Sequence, residues 1–181
     1  MRGIVPDQRA ATEQALSSAS LSHDLILTSG GVSVGEKDHI KPAVQALGTL
    51  DLWQIAIKPG KPFAHGKVGT AHFIGLPGNP VSSFVTFMLL VRPVLLKLQG
   101  ATNLARAAQP MKANFNWFKP DRRREFLRVR RNDEGALELF ENQSSGVLTS
   151  SVWGDGLVDV APGQVINRGD KVSYLSFAEL L

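Results

Sequence analysis

The chain has 181 residues, 43% of them hydrophobic and 20% charged, the mix of a soluble globular protein with one large domain or two small ones. It contains no cysteine, which excludes disulfides, thiolate metal sites and a cysteine nucleophile, and agrees with a cytoplasmic location. The net charge of +4 is spread as 9 basic against 6 acidic residues over 1–100 and 11 against 10 over 101–181, so small anions fit better as ligands than nucleic acid does.

No apolar leader follows Met1-Arg2-Gly3, so no signal peptide is expected. Alanine- and leucine-rich spacing behind Pro6-Asp7 predicts a helix over residues 7–21. The apolar run at 24–28 predicts a buried parallel strand, and the glycine-rich stretch at 29–35 a loop. Ile40, Val44 and Leu47 recur at helical spacing, predicting a helix over 37–47. A strand is expected at 50–57, a stiff cationic turn at 58–62, and short strands at 63–65 and 72–76. Pro77-Gly78-Asn79-Pro80 then opens an apolar helix over 81–98. Ser82, Ser83, Thr86, Arg92, Pro93 and Lys97 interrupt it, so it is expected to be a core helix, with no membrane involved.

This rhythm predicts an α/β domain over residues 1–100, with three α/β/α layers around a mostly parallel sheet. It begins in mid-rhythm, so its first βα unit is expected to be missing from the chain. After residue 100 the texture changes to short strand-like runs at 111–115, 125–131, 136–140, 157–160 and 171–174, separated by turn residues. Residues 101–181 are therefore expected to form a small all-β barrel. Alternation along 124–131 places Arg124, Phe126, Arg128 and Arg130 on one face, which is expected to be solvated.

Three segments carry chemistry. In Ser29-Gly30-Gly31-Val32-Ser33-Val34-Gly35, glycines let the backbone approach a ligand, and successive N–H groups make an anion-binding concavity; an ordinary tight turn would need the same residues. Asp38 falls in the first turn of the next helix, where a carboxylate serves equally as a cap or as an oxygen ligand for a cation. Neither the Walker loop nor the dinucleotide pattern is present. Lys58-Pro59-Gly60-Lys61-Pro62 holds two ammonium groups on a rigid backbone, suited to a dianion or simply to an exposed turn. Pro77-Gly78-Asn79-Pro80, with Ser82 and Ser83 behind it, presents either backbone donors to a ligand or only a well-capped helix. The histidines lack zinc-site spacing.

In order, Thr28 to Asp38, Ile57 to Pro62 and Gly75 to Ser82 strongly resemble the molybdopterin molybdotransferase family, gephyrin's C-terminal region included. Arg123-Arg124-Glu125-Phe126-Leu127-Arg128 and the turn from Gln143 to Ser150 resemble the same family, although Ser145 stands where it has glycine and His39 where tyrosine is common. The resemblance implies insertion of molybdate into adenylated molybdopterin with release of AMP, assisted by Mg²⁺. It implies Asp38, Lys58 and Lys61 as catalytic residues, with Asp38 on the metal. Ser29, Gly30, Gly31, Ser33, Gly35, Pro77, Gly78, Asn79, Pro80 and Ser82 are implied at the substrate. It further implies a homodimer when full length and a possible upstream adenylyltransferase. The family's two N-terminal domains are absent from this sequence, so the fragment alone is expected to be inactive. An adenylyltransferase-like enzyme and a non-catalytic scaffold of the gephyrin type are the competing expectations.

Overall fold

The computed structural model describes residues 4–32, 39–104 and 107–180. The chain divides into two compact units, Met1–Ile55 with Gly60–Asn79, and Ala56–Pro59 with Pro80–Leu181.

The first unit contains α1 (Arg9–Ser20), β1 (Leu25–Ser29), α2 (Ile40–Leu47), β2 (Gly48–Trp53), β4 (Ala64–Val68) and β5 (Ala71–Leu76); β3 (Ile57–Lys58) belongs to the second unit. Its four strands lie in the order β1-β5-β4-β2. Only β1 and β5 run parallel; β5 with β4 and β4 with β2 are antiparallel. The sheet is therefore mixed, where the spacing of elements had predicted a mostly parallel one. The cause is local: β4 and β5 are joined by Gly69-Thr70 alone, with Gly69 at φ 57, and so short a link can only make a hairpin. The strand expected over 50–57 is also divided. Gln54 takes a left-handed φ of 72, which ends β2, and its N–H donates to Phe63 O at 2.9 Å.

Apolar residues at helical spacing turn α1 and α2 onto a common core. Leu16, Ala43 and Val44 pack with Ile26, Ala64, Val68, Ala71 and Phe73 from the strands. The helix expected as a third layer is not part of this unit. It runs as α3 (Pro80–Thr86), a π-helical turn (Phe87–Val91) and α4 (Arg92–Leu98). Its buried face, Val81, Val85 and Met88, packs with Phe126, Leu157 and Phe177. By packing, the helix groups with the second unit, and the compact units divide at Asn79/Pro80. Among the described residues this helix is long and apolar enough to cross a membrane by length and composition. The core it enters is the ordinary fate of such a helix in a globular unit.

The second unit is built on β3, β6 (Gln109–Lys112), β7 (Arg124–Arg131), β8 (Leu137–Leu139), β9 (Gly156–Val160) and β10 (Lys171–Ser176), with short helices α5 (Thr149–Trp153) and α6 (Phe177–Leu180). The strand order is β3-β7-β9-β10-β6, with β8 on β7. Pro110 is tolerated because β6 is an edge strand. One isolated bridge from Ala113 to Leu137 joins the end of β6 to β8, so the expected barrel is incompletely closed, by a bridge instead of a ladder. Inside lie Leu127, Val129, Leu137, Val158, Val160, Ile166, Val172 and Tyr174. A fully buried aliphatic or aromatic side chain stabilises by about 1.5–3 kcal/mol, so this cluster dominates the unit's stability.

Tyr174 is wholly buried, in space left by Gly156, where a side chain would overlap the ring. Its hydroxyl donates to Asp155 Oδ1 at 2.8 Å. Burial, then the Asp155 hydrogen bond, push its pKa up to about 12. Tyr174 is the chain's single tyrosine, so absorbance at 295 nm reads it alone. The phenol is expected to ionise near pH 12 in the folded protein and near pH 10 in denaturant. Because the folded pKa is the higher one, this contribution to stability is complete below about pH 10 and is lost as pH rises through the folded value. A folded-state midpoint near 10 would show that the hydroxyl reaches water.

Candidate functional site

In the first unit the C-terminal ends of β1 and β5 lie side by side, with Ser29 opposite Leu76. Ligands of open α/β sheets bind at such ends. Gly30 and Gly31 have φ of +82 and +70, conformations that a side chain would strain. The Gly30 N–H donates to Leu76 O at 3.0 Å, which ties the glycine loop to the segment that follows β5. There Pro77 is buried, whereas Gly78 and Asn79 are exposed. A side chain at Gly78 would come into ordinary contact with the Gly30 backbone, 3.8 Å away. The structure therefore brings together Ser29, Gly30, Gly31, Pro77, Gly78 and Asn79 at one sheet edge. Lys61 is exposed in this unit, and its carbonyl accepts from the N–H groups of Ile55 and Phe63, both at 3.0 Å. Ser33, Gly35 and Asp38 lie outside the described residues.

The second unit holds Lys58, Pro80 and Ser82. Lys58 sits on β3 opposite Glu125 of β7. Its ammonium is 2.9 Å from Glu125 Oε1 and 3.4 Å from Asp121 Oδ2. The Glu125 hydrogen bond holds the lysine above its ordinary range. Trp117 Nε1–H donates to the other Glu125 oxygen at 3.1 Å. Asp121 is gripped by both arms of Arg123, at 3.0 and 2.9 Å, and this fork holds its carboxyl well below the usual carboxylate range. The charge of Lys58 is thus already partnered. Ser82 is buried in the helix; Pro80, at its start, is exposed. The next residue, Val81, donates its N–H to Ser145 O at 3.3 Å.

A cation that sequence reading had placed on a solvated strand face proves to be buried. Arg124 and Arg130 are exposed as expected, but Arg128 is 1% exposed. It shares its face with Phe126, and only the middle of that face, at Phe126 and Arg128, is covered. The guanidinium donates to Ser150 Oγ at 3.2 Å, Phe126 O at 3.3 Å and Ser144 O at 3.3 Å. All three acceptors are neutral, and among the described residues Arg128 has no carboxylate partner. Burial pushes its pKa down to about 10, so it remains charged at neutral pH. Gln143 completes the enclosure: its side chain accepts from Arg128 N–H at 2.9 Å and donates to Arg128 O at 3.0 Å. The only sequence signal for this burial was one arginine set between Phe126, Leu127 and Val129.

The architecture is that of an α/β domain with a glycine loop at the C-terminal ends of two parallel strands, followed by a β domain that buries an arginine with no carboxylate partner among the described residues. Residues 1–97 match the family described as "Probable molybdopterin binding domain", and residues 110–177 match "MoeA C-terminal region (domain IV)". The first match spans more than half of the chain, and the chain belongs to that family, with the MoeA-type region behind it. It is 55% identical over 98 residues to the molybdopterin molybdenumtransferase of Haemophilus influenzae, covering 54% of this chain and 24% of that protein. A Nostoc protein of the same name is 32% identical over 166 residues, covering 87% and 33%. The crystal structure of the molybdopterin biosynthesis MoeA protein from Pyrococcus horikosii superposes with a TM-score of 0.77 at 28% identity, covering 97% of this chain and 43% of that one. The chain spans about a quarter to a third of the curated relatives named here.

Proposed function

We propose that this chain, within a protein of its relatives' full length, acts as a molybdopterin molybdotransferase, inserting molybdate into adenylated molybdopterin and releasing AMP. The observation that carries the assignment is Arg128, buried and without a carboxylate partner among the described residues. An isolated buried charge is costly, and an oxyanion supplies the missing counter-charge. Release of AMP places negative charge on its phosphate, and the N–H groups of the glycine loop are suited to stabilise it. Lys61, exposed, is free to attract anions, while Lys58 shapes the β domain through Glu125. Mg²⁺ belongs to the assignment through Asp38 alone. Among the described residues no group of three or more His, Asp or Glu is placed to hold a metal, so no step is routed through it. The assignment includes a homodimer when full length, a cytoplasmic location and an adenylyltransferase upstream.

The test is AMP release from adenylated molybdopterin with Mg²⁺, with and without molybdate, for the full-length protein beside this chain. Release by the full-length protein only when molybdate is present, with this chain silent, is expected. Consumption of ATP instead would assign an adenylyltransferase. A full-length protein indifferent to molybdate would overturn the assignment.

A further inference from the structure

Gly75 lies in β5, opposite Thr28 of β1, and is buried, so it touches no ligand. It has no left-handed φ, and ordinary strand geometry would admit any residue there. What it lacks is room. A methyl group built on Gly75 would overlap Val32 Cγ1, and would also sit 3.3 Å from Ala64 Cβ. Val32 follows the two left-handed glycines of the loop. Gly31 is exposed, yet Val32 is only 2% exposed and joins the core of α1, α2 and the sheet. The loop thus dives from solvent into the core within one residue, and the hollow over Gly75 receives it.

The geometry points to Gly75 and Val32 as a knob-and-hollow joint that positions the glycine loop, with Gly75 as a positioning residue for the phosphate cradle. The consequence for binding rests on the reading of that loop as the phosphate site; the joint itself does not. Among the described residues the loop is held by the Gly30 N–H on Leu76 O at 3.0 Å and by the Val32 side chain over Gly75. Close-packed cores transmit strain instead of absorbing it. A methyl group at 75 therefore pushes Val32 outward and shifts Gly30 and Gly31 out of the conformation in which the Gly30 N–H is tied to Leu76 O. Valine, directly after two glycines, fills the hollow over Gly75. A smaller side chain would leave the hollow empty, and a larger one would not fit it.

The complementarity makes a compensating pair. Gly75→Ala is expected to weaken AMP binding by about tenfold, and Val32→Ala to weaken it less. In the double variant the new methyl group occupies the space that the valine methyls vacate, and AMP affinity is expected to return to within about threefold of that of Val32→Ala. Hydrogen exchange of the Gly30 amide reads the joint without any ligand. It is expected to accelerate in Gly75→Ala and to recover in the double variant, while the Phe73 amide in the middle of β5 is unchanged. Gly75→Ala with both AMP affinity and Gly30 exchange as in the parent would overturn the proposal. So would a double variant that melts like Val32→Ala yet keeps the loosened loop. If the unaltered protein binds no AMP, the phosphate assignment fails, and the exchange measurement still decides the joint.

Discussion

Replacing Arg128 with methionine is expected to remove the response to molybdate while leaving the melting temperature unchanged or raised. The two parts of this outcome have one cause. Arg128 is 1% exposed and, among the described residues, its guanidinium meets only neutral acceptors, at 3.2 to 3.3 Å. These bonds are long for charge-assisted ones, and they do not offset the several kcal/mol needed to strip a cation of water. Methionine fills similar volume without that penalty, and the gain offsets the loss of a donor to Ser150 Oγ, Phe126 O and Ser144 O. An oxyanion bound there would lose hydrogen bonds worth about 1.5–3 kcal/mol each, roughly a 10- to 150-fold loss for the first alone. Molybdate titration of AMP release by the full-length protein, with thermal melting alongside, checks both. A variant that melts far below the parent and still responds to molybdate would show that Arg128 is structural.

Lys58→Met is expected to destabilise the β domain by about 2 kcal/mol, and adding Glu125→Gln is expected to recover most of the loss. Glu125 is 2% exposed, and Lys58 is its nearest cation, at 2.9 Å. Without the lysine, a buried carboxylate is left with the Trp117 N–H and the more distant field of Arg123. Breaking a buried pair from one side usually costs 3–5 kcal/mol; the lysine end here is 41% exposed, so water screens the pair and the lower figure applies. Glutamine at 125 removes the orphaned charge and can still accept from Trp117. Urea unfolding of the two single variants and the double completes the cycle. If Lys58→Met left stability untouched, the lysine would be free for the anion-binding part that its motif implies.

Local pattern was enough for most elements. The run Leu25 to Thr28 reads as a strand because four apolar or β-branched residues are bounded by polar ones, and β1 forms there. Alternating and apolar runs likewise placed β7, β8, β9 and β10 to within a residue or two. The glycine loop was legible because glycine adopts the φ values found at Gly30 and Gly31 at no steric cost, and two in succession announce a turn. The break at Gln54 was not, since nothing about glutamine announces a left-handed residue; the hydrogen bond to Phe63 that accompanies it comes from nine positions away. Nor was the mixed sheet, because a strand's own residues do not state the direction of its neighbour.

Three things follow from the sequence by itself: the existence and type of most elements, the change of texture after residue 100, and the order of motifs that places the chain in its family. Periodicity, glycine and proline act over a few residues, and those are readable in a string. Tertiary structure alone decided that the apolar helix Pro80–Leu98 packs with β7, β9 and α6, that Lys58 pairs with Glu125, and that Arg128 is enclosed without a carboxylate among the described residues. Each of these depends on which distant segment covers a given face. A strand shows which residues share a side, but whether that side meets water or another layer is settled only when the chain closes over it.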